Sequence, residues 1–194
     1  GGVAQLRKAF NCHVVAADAR RIEGVDLVVE DADVLKLGDM QIRVIATPGH
    51  TTTSVCFHAI ADQGEAMLFT GDTLFIGGCG RLFECDAETM WASLQKLAAL
   101  PQDTLVYCGH EYTIENYEFA LEIEPDNATV RERLEQVREM LRQTGHAVPS
   151  TVAQERLTNC FLRADIAGIR AALNLANAPA AQVFGELRRR KNSF

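Results

Sequence analysis

The sequence predicts an α/β first half followed by a small all-helical second half, and three observations carry that prediction. Residues 40–46 and 54–60 alternate apolar and polar side chains in the manner of half-buried strands. Compact apolar runs at 66–70 and 104–108 each end in a glycine followed by Asp72 or His110. Beyond His110 the texture changes: Val130, Leu134, Val137 and Leu141 recur at helical spacing among charged residues.

Taken in order, residues 3–10 read as a short helix, 12–16 as a strand and 26–29 as another, ahead of the two alternating strands at 40–46 and 54–60. The apolar run 66–70 closes in Gly71-Asp72. Asp86 is a good N-cap for a helix whose apolar positions are Met90, Leu94 and Leu97, and Pro101 stops it. The run 104–108 is the next strand. A long amphipathic helix then starts after Asp126-Asn127 and ends at Gly145, and further helical runs cover 165–176 and 179–190. These spans divide the chain into a domain at 1–110 and a helical domain at 111–194.

A chain of 194 residues with 47% hydrophobic content can bury a sizeable core, so disorder is excluded as a description of the whole. The net charge of -7 argues against general affinity for nucleic acid or an anionic membrane, although Arg188-Arg189-Arg190-Lys191 forms a local basic cluster. Six cysteines occur without a C-x-x-C pair and several sit in apolar runs, which fits a reduced, cytoplasmic setting. No apolar stretch approaches the roughly 20 residues that span a bilayer.

Three candidate metal ligands stand in equivalent places. His50, Asp72 and His110 each lie just past a strand end and each follows a glycine. Strand ends on one edge of a sheet meet in space even when they are 22 and 38 residues apart in sequence, and glycine lets the backbone turn sharply there. Imidazole and carboxylate suit zinc, iron or manganese, and a carboxylate can bridge two cations. Spacing alone leaves open whether the three share a site or are separate loop residues. His13, His58 and His146 sit in no such glycine turn and read as structural or surface residues.

Thr47-Pro48-Gly49-His50-Thr51, Phe69-Thr70-Gly71-Asp72-Thr73-Leu74-Phe75, Gly77-Gly78-Cys79-Gly80-Arg81-Leu82-Phe83-Glu84 and Gly109-His110-Glu111-Tyr112-Thr113 are similar, in this succession, to the signatures of glyoxalase II. That is the hydroxyacylglutathione hydrolase family of the metallo-β-lactamase superfamily. The resemblance runs to the closing Leu187-Arg188-Arg189-Arg190-Lys191-Asn192-Ser193-Phe194. The TPGHT and GD segments are shared widely in the superfamily, whereas GGCGRLFE, GHEYT and the tail are more specific.

What the resemblance implies is concrete. The fold is an αββα sandwich followed by the helical domain. The family's T-H-x-H-x-D-H segment, which supplies four of seven ligands, is ordinarily followed by Gly-Gly-Val or similar. The chain opens with Gly1-Gly2-Val3, so it is expected to begin just past that motif, with three of the ligands and without the first strands of the sandwich. Two divalent metal ions are implied, zinc first, with iron or manganese as alternatives. His50 would ligate one, His110 the other, and Asp72 would bridge them. The nucleophile would be a hydroxide between the metals, so no side chain acts as one, and Cys79 and Cys108 are packing residues.

The implied reaction is hydrolysis of S-D-lactoylglutathione to D-lactate and glutathione. A thioester suits such a site because its leaving thiolate has an unperturbed pKa near 8.5 and needs little help from an acid. The family pattern assigns the glutathione to Arg81, Tyr112, Arg188 and Lys191, with Phe83 where some members carry tyrosine. Read without the family, Arg81 is equally a loop brace, the basic run a solvated helix end, and Tyr112 a core aromatic. A small-molecule thioester, no nucleic acid, no membrane and a monomeric chain complete the expectation. Two alternatives stay open: another enzyme of this fold such as a persulfide dioxygenase, and a catalytically incomplete glutathione-binding module.

Overall fold

In the computed structural model, which describes residues 2–61 and 64–194, the alternating runs become strands and the runs of helical period become helices. Helix α1 (Val3–Phe10) leads into β1 (Val15–Ala16) and β2 (Leu27–Val28), which pair parallel as a separate ribbon. There follow β3 (Val34–Leu37), β4 (Met40–Ala46), β5 (Val55–Ile60) and β6 (Ala66–Gly71), then a tight hairpin of β7 (Leu74–Phe75) and β8 (Gly78–Cys79). After α2 (Ala87–Ala98) and β9 (Leu105–Cys108) come α3 (Thr113–Ile123), α4 (Ala128–Thr144), β10 (Ser150–Thr151), α5 (Val152–Thr158), a 3-10 turn at Cys160–Leu162, α6 (Ala167–Ala172) and α7 (Ala180–Lys191).

The main sheet has the order β10-β9-β6-β5-β4-β3. Pairs β4–β5 and β5–β6 are antiparallel and β6–β9 is parallel, so β4, β6 and β9 run the same way. Their carboxyl ends therefore share one edge of the sheet, and His50, Asp72 and His110 follow those three ends. Register slips between Phe69 and Gly71, and the Thr70 hydroxyl donates to Leu74 O at 2.7 Å, which turns the chain out of the sheet just before Asp72.

The core lies where α2 and the later helices meet the sheet: Ile45, Cys56, Leu68 and Val106 from strands pack with Met90, Leu94 and Leu97 from α2. Asp86 caps α2 by accepting from Thr89 N, and Asn127 caps α4 by accepting from Val130 N. Helix α7 crosses α2 closely enough that a Cβ on Gly185 would lie 3.1 Å from the Ala87 Cβ. Several expected elements are shorter than their sequence patterns. The strand at 12–16 is paired only over Val15–Ala16, and the helix expected at 165–176 stops at Ala172, before Asn174 at φ 58. Helix α3 buries Tyr117, Phe119, Ala120 and Ile123, a set whose spacing the sequence reading passed over. The helical region also returns a strand to the sheet, since Ser150 and Thr151 pair with Val106 and Leu105.

Candidate functional site

His50 stands at the tip of a turn that α2 presses into place. Thr47 N donates to Ser54 O at 2.9 Å, Ser93 of α2 donates to Pro48 O at 2.7 Å, and a Cβ on Gly49 would overlap the Met90 sulfur. The hydroxyl run behind the histidine closes this turn: Thr51 and Ser54 hydroxyls meet at 2.7 Å, while Thr52 donates from N at 2.7 Å and from Oγ1 at 3.0 Å to Glu84. Hydrogen bonds from Arg21 first, and from Thr52, hold the Glu84 carboxyl down to about 2.

Asp72 sits between the two imidazoles. Its Oδ2 is 3.8 Å from His50 Nε2 and its Oδ1 is 3.4 Å from His110 Nε2, so each oxygen faces a different ring. His50 Nδ1 lies 2.9 Å from the Arg81 carbonyl. A carbonyl oxygen only accepts, so Nδ1 carries a proton, and in the neutral ring Nε2 then presents its lone pair towards Asp72. Lone pair facing carboxylate is unfavourable unless a cation lies between them. Two donors each about 2.1 Å from a tetrahedral metal are about 3.4 Å apart, which is the range of both separations. The donor types and their spacing fit two cation positions with Asp72 common to both. Among the described residues no group of three or more His, Cys, Asp or Glu side chains converges on a single point, so these residues offer each position a pair.

The close fit depends on glycine. A Cβ on Gly80 would overlap the Asp72 carbonyl oxygen and lie 3.1 Å from His50 Nδ1, and one on Gly109 would lie 2.8 Å from Asp72 Oδ1. Gly80→Ala is expected to lower stability by roughly 2 kcal/mol and to cut divalent-metal uptake, because the obstacle is backbone. The control is Gly168→Ala in α6, where a Cβ meets nothing within 4 Å. Melting temperature and bound metal per chain check both variants; a Gly80→Ala chain with normal metal content contradicts this account.

All eight residues singled out in the sequence line one cleft of about 490 Å³. Beyond the three ligand candidates, Phe83 packs against His50 with ring centroids 4.9 Å apart, and Tyr112 stacks on His110 at 5.2 Å and 17°. Tyr112 is therefore no core aromatic. The solvated-end reading of the basic run holds for Arg189 and Arg190, which pair with Glu186, and fails for its other two members. Arg188 is 5% exposed and Lys191 is 6% exposed. Helix periodicity places 188 and 191 one turn apart on the face that meets the body, where Arg188 Nη1 donates to Cys79 O at 2.8 Å and Lys191 Nζ donates to Glu115 O at 3.1 Å and Oε1 at 2.5 Å. Burial pushes the Lys191 ammonium below its usual pKa against the pull of Glu115.

The remaining groups stay out of the chemistry. Burial pushes the Cys79 thiol up to about 11, the Arg188 charge offsetting part of that, and burial also raises Cys108, so neither offers a ready thiolate. His13 and His146 are exposed, and His58 is buried on the sheet with a pKa lowered by burial and by Arg43. Sequence reasoning missed Phe75, Glu115 and Asn116, which also line the cleft. Recognising α3 would have found the last two, since both fall in its first turn.

Residues 1–110 match the family described as the metallo-beta-lactamase superfamily, and residues 111–194 match the family described as hydroxyacylglutathione hydrolase C-terminus. A protein named hydroxyacylglutathione hydrolase from Methylococcus capsulatus is 47% identical over 196 residues, an alignment that covers 100% of this chain and 75% of that protein. Another of that name from Rhodopseudomonas palustris strain BisB5 is 48% identical over 195 residues, with the same coverage of 100% and 75%. Among solved structures, ETHE1 from Myxococcus xanthus superposes with a TM-score of 0.58 at 25% identity, covering 94% of this chain and 66% of that one.

Proposed function

The chain belongs to the hydroxyacylglutathione hydrolase family of the metallo-β-lactamase superfamily, and from that premise we propose that it hydrolyses S-D-lactoylglutathione to D-lactate and glutathione. One observation carries the reading for this chain: the Asp72 carboxylate faces His50 with one oxygen and His110 with the other, at the floor of a cleft whose wall holds two buried cations.

In this reading His50, Asp72 and His110 would help to hold two divalent cations, with zinc the metal that this imidazole and carboxylate set suits first and iron or manganese the alternatives. When bound, the two cations supply Lewis acidity, lowering the pKa of water and stabilising negative charge on the thioester carbonyl oxygen. The chain's own residues do the rest. The Arg81 carbonyl keeps the proton on His50 Nδ1, so the ligating nitrogen stays a lone-pair donor. Phe83 and Tyr112 flank the two imidazoles and offer apolar faces to the acyl group. Arg81, Tyr112, Arg188 and Lys191 hold the tripeptide, whose carboxylates need local positive charge in a protein of net charge -7. The leaving thiolate departs without a protein acid, since an unperturbed thiol pKa is near 8.5.

The division of labour follows: residues 1–110 hold the metals and residues 111–194 hold most of the glutathione. The six cysteines are free, which favours a reducing compartment such as the cytoplasm. No helix among the described residues is long and apolar enough to cross a membrane. The test is a thioester assay on the full-length, zinc-loaded protein with S-D-lactoylglutathione. Stoichiometric release of free thiol is expected; oxygen uptake with a glutathione persulfide, and no thiol release from the thioester, would overturn the reading.

A further inference from the structure

The backbone between Phe75 and Arg81 is held almost residue by residue from elements far away in sequence. Asn159, just after α5, donates through Nδ2 to Phe75 O at 3.3 Å and to Gly78 O at 3.0 Å. Asn116 of α3 donates to Ile76 O at 3.0 Å, and Arg188 of α7 donates to Cys79 O at 2.8 Å. Gly77 N–H donates to Glu155 Oε2 of α5 at 2.8 Å. The last carbonyl of the segment, Arg81 O, accepts the His50 Nδ1 proton at 2.9 Å. This loop thus joins the helical region to one of the two imidazoles facing Asp72.

Glu155 is the costliest member of the set. It is 0% exposed, and its Oε1 and the Ser150 hydroxyl both lack a hydrogen-bond partner among the described residues. Burial pushes its pKa up, and the hydrogen bonds from Gly77 N–H and the Asn159 amide only partly oppose this. A well-packed apolar residue is often as stable in a core as an ionisable one. No apolar side chain, however, accepts a hydrogen bond from Gly77 or from Asn159 Nδ2, which reaches Glu155 Oε2 at 3.1 Å. Gly77 has little room to seek another acceptor: it has φ +70, and a Cβ there would lie 3.0 Å from the Tyr117 ring.

We propose that Glu155 is a positioning residue for the reaction: by accepting the Gly77 N–H and bracing Asn159 it sets the loop from Phe75 to Arg81, and through the Arg81 carbonyl it sets the orientation and tautomer of His50. It touches neither substrate nor reacting atoms. The effect on turnover rests on the thioester reading above; the effect on His50 does not.

The experiment compares Glu155→Leu and Glu155→Gln with wild type in the full-length, zinc-loaded protein. Leucine fills the space but accepts nothing, whereas glutamine keeps an acceptor for Gly77. The readouts are the 15N resonances of His50 Nδ1 and the Gly77 amide without substrate, then kcat and KM. Glu155→Leu is expected to move both resonances and lower kcat about tenfold, and Glu155→Gln to restore kcat to within about threefold. A folded Glu155→Leu with unmoved His50 and wild-type kcat and KM overturns the proposal, leaving Glu155 a packing residue. If the leucine variant does not fold, Glu155→Asp, whose shorter arm withdraws the acceptor while keeping the carboxyl group, is judged by the same criteria. A moved His50 resonance in a protein whose wild type hydrolyses no thioester supports the positioning role and sinks the substrate.

Discussion

Asp72→Asn is expected to lose at least about a thousandfold in kcat, corresponding to roughly 4 kcal/mol of transition-state stabilisation, while its melting temperature stays within a few degrees of wild type. The two halves of that expectation have separate causes. The Asp72 carboxylate lies 3.8 Å from His50 Nε2 and 3.4 Å from His110 Nε2, and its side chain is 39% exposed. Removing such a charge withdraws no folding contact of consequence. It does remove the negative charge that faces both imidazoles, so bound metal should fall together with kcat. Metal content per chain and thioester turnover, measured on the same preparation, check the assignment; full turnover in Asp72→Asn would end it.

Arg188→Ala is the second large effect, and the structure gives it two components. The guanidinium donates to Cys79 O at 2.8 Å and to Asn192 Oδ1 at 3.2 Å, and lies 5.0 Å from the centroid of the Phe161 ring. Truncation leaves the buried Cys79 carbonyl unpaired and opens a void beside Phe161. Stability should therefore fall by about 2–4 kcal/mol. KM for the glutathione thioester should rise about tenfold to a hundredfold, the range of a lost hydrogen bond to a charged group, with a smaller change in kcat. Arg188→Lys separates the two: charge survives and the planar fork does not, so it recovers part of the KM and less of the stability. An unchanged KM in Arg188→Ala, measured well below its melting temperature, would remove Arg188 from the glutathione site.

Much of this is legible in the sequence. The alternation at 40–46 and 54–60 and the spacing of Met90, Leu94 and Leu97 encode strands and a helix because a buried face has to repeat with the geometry of its element. The glycines before His50, Asp72 and His110 stand at or just past strand ends; Gly71 takes a φ of 50, whereas Gly49 and Gly109 leave room for Met90 and Asp72. Short pieces escaped for the converse reason. Two-residue strands such as β8 and β10 have no period to detect, and Glu155 shows nothing in sequence to separate it from a surface glutamate on a helix.

By itself the sequence determined the composition of the site: two imidazoles and a carboxylate at strand ends, a glycine-rich loop and a basic tail. Only the tertiary structure decided that these meet. The parallel direction of β4, β6 and β9 brings three turns to one edge, and the packing of α7 against β8, the Cys160–Leu162 turn and α3 takes Arg188 and Lys191 out of water while Arg189 and Arg190 pair with Glu186. The physical reason is the range of the forces involved. Periodicity, capping and turn chemistry act within a few residues and leave a trace in local spacing. Strand order and helix crossing are settled by burying apolar faces from distant parts of the chain, so partners such as Glu155 and Gly77 are paired by the packing of the whole core.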